Sequence, residues 1–174
     1  YTPTAFGAIA GRTVGALADP VRVTPMQVWH ETAGARFENV GQWQRAWYYP
    51  RSGESMAEAV ARECVAVRRR VGILDYSTLG KIEVTGPDAG EFLDRVYVNR
   101  WKDLQPGRCQ YGLMLGEDGM ILDDGVAARL DDSRYLLFTT TTGAATVLDW
   151  LERWLQTEWQ DLQVYLTSVS EQWS

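Results

Sequence analysis

Residues 109–139 read CQYGLMLGEDGMILDDGVAARLDDSRYLLFT, and the spacing of the turn residues within them decides the fold. Gly116-Glu117-Asp118-Gly119 and Asp131-Asp132-Ser133 divide the stretch into three runs rich in residues that suit strands. Residues 109–115, 120–130 and 134–139 are therefore predicted strands, and connections this short pair neighbours antiparallel. Working outward, Ile82 and Val84 alternate with charged residues over 81–85 to give a further strand, and residues 163–169 give another. Gly86-Pro87 opens a short helix whose Ala89, Phe92, Leu93 and Val96 share a face. Ala144, Val147, Leu148, Leu151, Trp154 and Leu155 mark a second amphipathic helix. Ser55-Met56-Ala57-Glu58 is a capping box, so a third helix is predicted over 56–70. Its apolar side carries Met56, Val60, Val67 and Val71, with Cys64 expected there as a buried small hydrophobe. The order helix, strand, helix, three strands, helix, strand predicts an α+β fold, an antiparallel β-sheet with covering helices on one face.

Outside this block the chain changes character. Residues 1–25 contain Pro3, Gly7, Gly11, Gly15, Pro20 and Pro25, and are expected to form an irregular linker arm. Residues 26–174 are expected to be one domain, with the aromatic stretch 29–50 lying on it as an irregular flap. The chain starts at Tyr1, and its last strand runs nearly to Ser174, so a piece of a longer protein, truncated at its C-terminus, is expected.

Composition removes several functions. With 174 residues, 17 Lys and Arg against 23 Asp and Glu, and a net charge of -6, the chain repels phosphate backbones, so nucleic acid is not an expected partner. No run approaches the ~18 apolar residues of a membrane helix, so no membrane partner is expected. Cys64, Cys109 and His30 are too few soft ligands for a zinc site, and no metal is expected. No phosphate loop or dinucleotide glycine fingerprint is present. Arg68-Arg69-Arg70 reads as a solvated basic end placed at the negative pole of its helix.

One position stands out for chemistry. In the strand over 120–130, Met120, Leu122, Asp124, Val126, Ala128 and Leu130 share one face, and Ile121, Asp123, Gly125, Ala127 and Arg129 the other. Asp124 thus interrupts an apolar row expected to point inward, where a carboxylate needs compensation. Asp123, beside Arg129, is expected to be solvated and without a catalytic part. A two-residue turn at Asp118-Gly119 sets Tyr111 opposite Val126 and Leu113 opposite Asp124, whereas a four-residue loop sets Tyr111 opposite Asp124. Both registers leave Tyr111 and Asp124 on one face; a three-residue loop would separate them. A ring beside a lone acid suits a flat, nitrogen-bearing ligand. Bonding of Asp124 to a structural Arg, backbone amides or water remains the alternative.

The run VGILDYSTLGKIEVTGPDA at residues 71–89, together with Tyr111 and GMILDDGV at 119–126, resembles the folate-binding aminomethyltransferase family, typified by the T-protein of glycine cleavage. TPTAFGAIAGR at 2–12, DPVRVTP at 19–25 and VGQWQRAWYYPRSGE at 40–54 resemble the C-terminal region of the α subunits of heterotetrameric sarcosine oxidases. The resemblance implies the first part of a T-protein-like folate-binding fold. It implies Asp124 as the catalytic carboxylate near the reactive nitrogens of tetrahydrofolate, with Tyr111 lining the same site and Val126 and Leu79 as apolar neighbours. It further implies that sarcosine, oxidised to an imine or formaldehyde at a flavin on another subunit, passes its one-carbon unit to tetrahydrofolate, giving 5,10-methylenetetrahydrofolate. Flavin and NAD are then expected elsewhere in a cytoplasmic heterotetramer, with the other sarcosine oxidase subunits as partners. This sequence departs from the family in having Thr78 and Leu79 where His and Met are usual, and Thr140 where a ligand-contacting Asn is usual; the family's acidic pterin ligand would lie beyond Ser174. A stand-alone folate-dependent aminomethyltransferase or demethylase, and a non-catalytic assembly module docking through its Trp-rich surface, are the competing readings.

Overall fold

Ser55 begins its helix as its neighbours predict. In the computed structural model, which describes residues 22–173, its Oγ accepts from the Glu58 N–H and its own N–H donates to Glu58 Oε2, at 3.4 and 2.9 Å. Both halves of the box satisfy amides that the helix start would otherwise leave without partners. The chain divides into two units, residues 1–73 and 74–174.

In the first unit, β1 (Arg22–Val23), α1 (Gln27–Thr32), β2 (Arg36–Val40), β3 (Trp43–Tyr48) and α2 (Met56–Arg69) follow in order. β3 pairs antiparallel with β2 and parallel with β1, in the sheet order β1-β3-β2. Gly41 and Gln42 join β2 to β3 with φ of 53° and 69°, the left-handed pair that fits the twist of a two-residue hairpin. The aromatic stretch is therefore an ordered small sheet rather than an irregular flap. Arg22–Val23 belong to that sheet as well, and the remainder of the expected linker arm, residues 1–21, lies outside the described residues.

The expected burial along α2 is reversed. Cys64 is exposed, as are Met56, Val60, Val67 and Val71, and Ala59 is the helix's buried residue. The side turned toward the end of β3 is polar: Arg62 donates to the Tyr49 carbonyl and to Glu54, and Glu63 accepts from the Tyr49 N–H. Helical periodicity identifies the apolar side of a helix, but what lies against that side is a matter of tertiary packing.

The second unit holds β4 (Gly80–Thr85), α3 (Ala89–Val96), β5 (Arg108–Leu115), β6 (Ile121–Asp131), β7 (Arg134–Thr139), α4 (Ala144–Thr157) and β8 (Tyr165–Ser168). The strands form a five-stranded sheet in the order β5-β6-β7-β4-β8, with every pair antiparallel, so the expected α+β architecture holds. Ile82, Val84, Met114, Ala127, Tyr135 and Leu137 on one sheet face share a core with Phe92, Leu93 and Val96 of α3 and Val147 and Leu151 of α4. Apolar area removed from water contributes ~25 cal/mol per Å², so this face is where the unit's stability is concentrated.

The β5–β6 connection is the loop that, by its length alone, would separate Tyr111 from Asp124. Gly116 N–H donates to the Met120 carbonyl, Gly119 N–H to the Gly116 carbonyl, and Gly119 has φ 78°, which makes a three-residue loop. Taken alone, that loop would shift the strands by one residue. The ladder shifts back between Met114 and Leu115, where Leu122 is left unpaired, so Leu113 still opposes Asp124 and Tyr111 still opposes Val126.

Gly125 lies beside Asp124, where the backbones of β6 and β7 approach closely. An added Cβ there would overlap the Phe138 carbonyl oxygen. Gly125→Ala is expected to destabilise the protein by about 3 kcal/mol, because a backbone atom cannot swing aside as a side chain can. A guanidinium unfolding curve measures this as a lowered midpoint at unchanged slope.

Candidate functional site

Asp123 and Asp124 leave β6 on opposite faces, and the two environments reverse the expected ones. Asp123 is 7% exposed. Its Oδ1 accepts from Thr140 Oγ1 at 2.6 Å and its Oδ2 from the Thr140 N–H at 3.2 Å. Thr140 Oγ1 in turn accepts from the Gly143 N–H at 3.1 Å, at the entry to α4. The Asp123 carboxylate thus ties β6 to the turn before α4, and the expectation that it is solvated is corrected. The cause is the covering helices, which lie on the face that Asp123 shares with Ala127.

Asp124 lies on the open face and is half-buried, not enclosed in the core. Tyr111 Oη donates a hydrogen bond to Asp124 Oδ2 across the β5–β6 pair. The two residues are diagonal neighbours on one face, within reach of a ring as long as tyrosine's. That bond is the largest reason that the phenol's pKa is raised, with burial and the charges of Asp124 and Asp123 adding to it. Asp124 Oδ1 receives no donor among the described residues.

The backbone under Tyr111 is held from the sheet edge. Asn99 Nδ2 donates to the Tyr111 carbonyl and Asn99 Oδ1 accepts from the Leu113 N–H, at 3.1 and 3.2 Å, so one side-chain amide substitutes for a neighbouring strand. Gly112 between them allows this approach, since a Cβ there would lie 2.6 Å from the Trp101 ring.

Leu79, Tyr111, Asp124 and Val126 all line a single cleft of about 620 Å³, with Tyr76, Phe138, Thr139 and Thr140 completing it. The structure therefore brings together the four residues singled out from the sequence. Leu79 and Tyr76 come from a short turn in which the Leu79 N–H donates to the Tyr76 carbonyl and the Ser77 N–H to Asp75 Oδ1. Two further contacts hold that turn. Lys81 Nζ donates to the Ser77 carbonyl at 2.7 Å, and Thr78 Oγ1 lies 3.1 Å from Thr141 Oγ1. Lys81 is 3% exposed, and its burial lowers its pKa. Strand alternation assigns Lys81 to the side opposite Ile82 and Val84 without indicating that this side is covered, so its burial was not legible. Tyr76 lies inside the motif run at 71–89 yet has no periodic signal of its own. Phe138 enters the cleft by the pairing of β7 with β4, which no local pattern specifies.

The cleft offers one acceptor carboxylate, the phenols of Tyr76 and Tyr111, Thr139 and Thr140, and apolar walls. Among the described residues no group of three or more His, Cys, Asp or Glu could hold a metal ion, and no helix is long and apolar enough to cross a membrane.

A family model described as the GCVT N-terminal domain matches residues 26–174. The chain is 60% identical over 172 residues to the sarcosine oxidase subunit alpha of Corynebacterium sp. (strain P-1), an alignment covering 99% of this chain and 18% of that protein. It is 47% identical over 175 residues to the subunit alpha of Rhizobium meliloti (strain 1021), covering 100% and 18%. An aminomethyltransferase of Corynebacterium aurimucosum is 34% identical over 126 residues, covering 72% of this chain and 32% of that one. Among solved structures, the glycine cleavage system aminomethyltransferase T from Bartonella henselae superposes with a TM-score of 0.74 at 27% identity, over 86% of this chain and 38% of that chain. The chain thus spans about a fifth of the length of the sarcosine oxidase subunits that it matches.

The hydrogen bond from Tyr111 is directly measurable. In Asp124→Asn the accepting charge is gone while the side-chain shape is kept, so the Tyr111 phenol is expected to ionise at lower pH than in the parent protein. The difference between the two tyrosinate absorbance titrations reads this shift, and superimposable curves would contradict the bond.

Proposed function

This chain belongs to the GCVT N-terminal domain family, and from that premise we propose that it is the tetrahydrofolate-binding part of a sarcosine oxidase α-like subunit. In this reading the one-carbon unit of oxidised sarcosine, an imine or formaldehyde, is transferred to tetrahydrofolate to give 5,10-methylenetetrahydrofolate. The identity to sarcosine oxidase α subunits across nearly the whole chain supports the protein context. The likeness to aminomethyltransferases supports the folate chemistry. Flavin and NAD belong to other parts of the complex in this proposal, which assembles with the other sarcosine oxidase subunits in the cytoplasm.

The single observation that carries the reading is the Asp124 carboxylate held by Tyr111 within a cleft walled by Leu79, Val126 and Phe138. Tetrahydrofolate, when bound, supplies a flat ring and the amine nitrogens that take up carbon. The apolar walls fit the ring, and the carboxylate fits the nitrogens. Tyr111 engages Oδ2, which turns Oδ1 toward a ligand N–H as an acceptor. Positive charge developing beside Asp124 would be stabilised by its carboxylate, whose position is already fixed by the bond from Tyr111. The same oxygen can take up the proton released as a nitrogen acquires its new bond to carbon. Asp123, one residue away and on the other face, has no access to that position; its part is to hold Thr140 in the cleft wall.

The test compares the assembled complex that contains this chain with the same complex carrying Asp124→Asn, while both oxidise sarcosine in the presence of tetrahydrofolate. Flavin reduction is expected to proceed unchanged. Formation of methylenetetrahydrofolate is expected to fall about a hundredfold, with formaldehyde released in its place. Undiminished methylene transfer in the variant would remove Asp124 from the reaction.

A further inference from the structure

Two open clefts in the first unit meet at Arg51. One, of about 510 Å³, is lined by Arg36, Arg51 and Glu54 among others. The other, of about 250 Å³, is lined by Arg51, Arg62, Arg69 and Arg70 around an apolar floor of Val65 and Ala66. Five of the chain's 17 basic residues converge here, in a protein whose net charge is -6. Like charges gathered in one concavity repel, so each of them calls for something that offsets the repulsion.

The carboxylate that lines the larger cleft is already engaged. Glu54 Oε1 accepts from Arg62 Nε at 2.8 Å, and Oε2 accepts from Arg62 Nη2 at 2.9 Å and from the Arg51 N–H at 2.8 Å. Those bonds, that of Arg62 foremost, hold the Glu54 pKa down at about 2. Arg62 is in addition fixed by the Tyr49 carbonyl at 2.7 Å. The guanidinium groups of Arg36, Arg51, Arg69 and Arg70 make no hydrogen bond or ion pair among the described residues. The helix dipole accounts for Arg69 and Arg70 at the end of α2. It does not account for Arg36, which comes from β2, or for Arg51, which comes from the β3–α2 connection.

We propose that this arginine groove binds an elongated oligoanion, a ligand or ligand tail carrying two or more carboxylates or phosphates in a row. The guanidinium fork matches both groups in bidentate geometry and remains charged at every accessible pH. Two clefts sharing Arg51 suit several anionic groups along a chain better than one compact ion, and Val65 and Ala66 offer contact to the carbons between them. The site is separate in residues and chemistry from the Asp124 cleft, and stands whether or not that cleft takes a folate.

The probes are tripolyphosphate and tetraglutamate, with inorganic phosphate as the single-anion comparison, each titrated calorimetrically into the protein at about 50 mM and about 200 mM salt. Saturable binding of at least one chain-like probe, tighter than inorganic phosphate and weakened by salt, is the expected result. Arg69→Gln/Arg70→Gln, at the exposed end of α2, is expected to weaken it about tenfold, and Arg36→Gln, on a different element, to weaken it in the same sense. Which of the two probes binds identifies the source as a phosphate or a carboxylate chain. Three results would overturn the proposal: no saturable binding by either probe, affinity unchanged in both variants, or inorganic phosphate binding as tightly as the chains.

Discussion

Adjacent side chains on a strand must point to opposite faces of the sheet, and the second unit depends on that constraint. α3 and α4 occupy one face, so the two carboxylates in Leu122-Asp123-Asp124-Gly125 receive opposite environments. A carboxylate on the covered face is tolerated only if its hydrogen-bonding capacity is met, which is what Thr140 does for Asp123. A carboxylate on the other face can remain available. The division of labour within the acidic pair, one fastening the turn before α4 and the other facing the cleft, follows from the pleat alone once the covered face is known.

Several contacts converge on keeping that cleft in one shape. Asn99 pins the edge of β5 beneath Tyr111, Lys81 holds the turn that presents Tyr76 and Leu79, and Asp123 holds Thr140. Each is a polar group satisfied by backbone or by a nearby hydroxyl, so the positions are set by directional bonds rather than by close packing. Apolar packing on the opposite face makes the platform, and these bonds place the groups upon it. Gly112 and Gly125 matter for a related reason, since each allows a neighbour to approach where a Cβ would stand.

The first unit shows the same physics with the opposite outcome. α2 has a well-formed start and a clear apolar stripe, yet the residues turned toward β3 are Arg62 and Glu63, while the valines remain exposed. Fixing Arg62 between Glu54 and the Tyr49 carbonyl neutralises one cation of a group of five and leaves the others facing open clefts. A pattern-based expectation of a buried Cys64 failed here because amphipathicity is a property of one helix, whereas burial requires a second surface.

What the amino-acid order determined by itself is whatever depends on near neighbours. The capping box at Ser55, the three hairpin strands, and the amphipathic faces of α3 and α4 all rest on local spacing and turn chemistry. The family resemblance added Leu79 and Val126 to the pair of Tyr111 and Asp124. What only the tertiary structure decided is which side of each element is covered. Asp123 inside and Asp124 outside, Lys81 buried, and the valines of α2 exposed are invisible to periodicity, because a period of two or 3.6 residues defines faces without saying what lies against them. Even the β5–β6 register reached its expected pairing by an unexpected route: a three-residue loop and the bulge at Leu122 shift the ladder in opposite senses and cancel. That cancellation exists because burying Met114 and Ala127 beneath the helices selects one register out of those the turn allows.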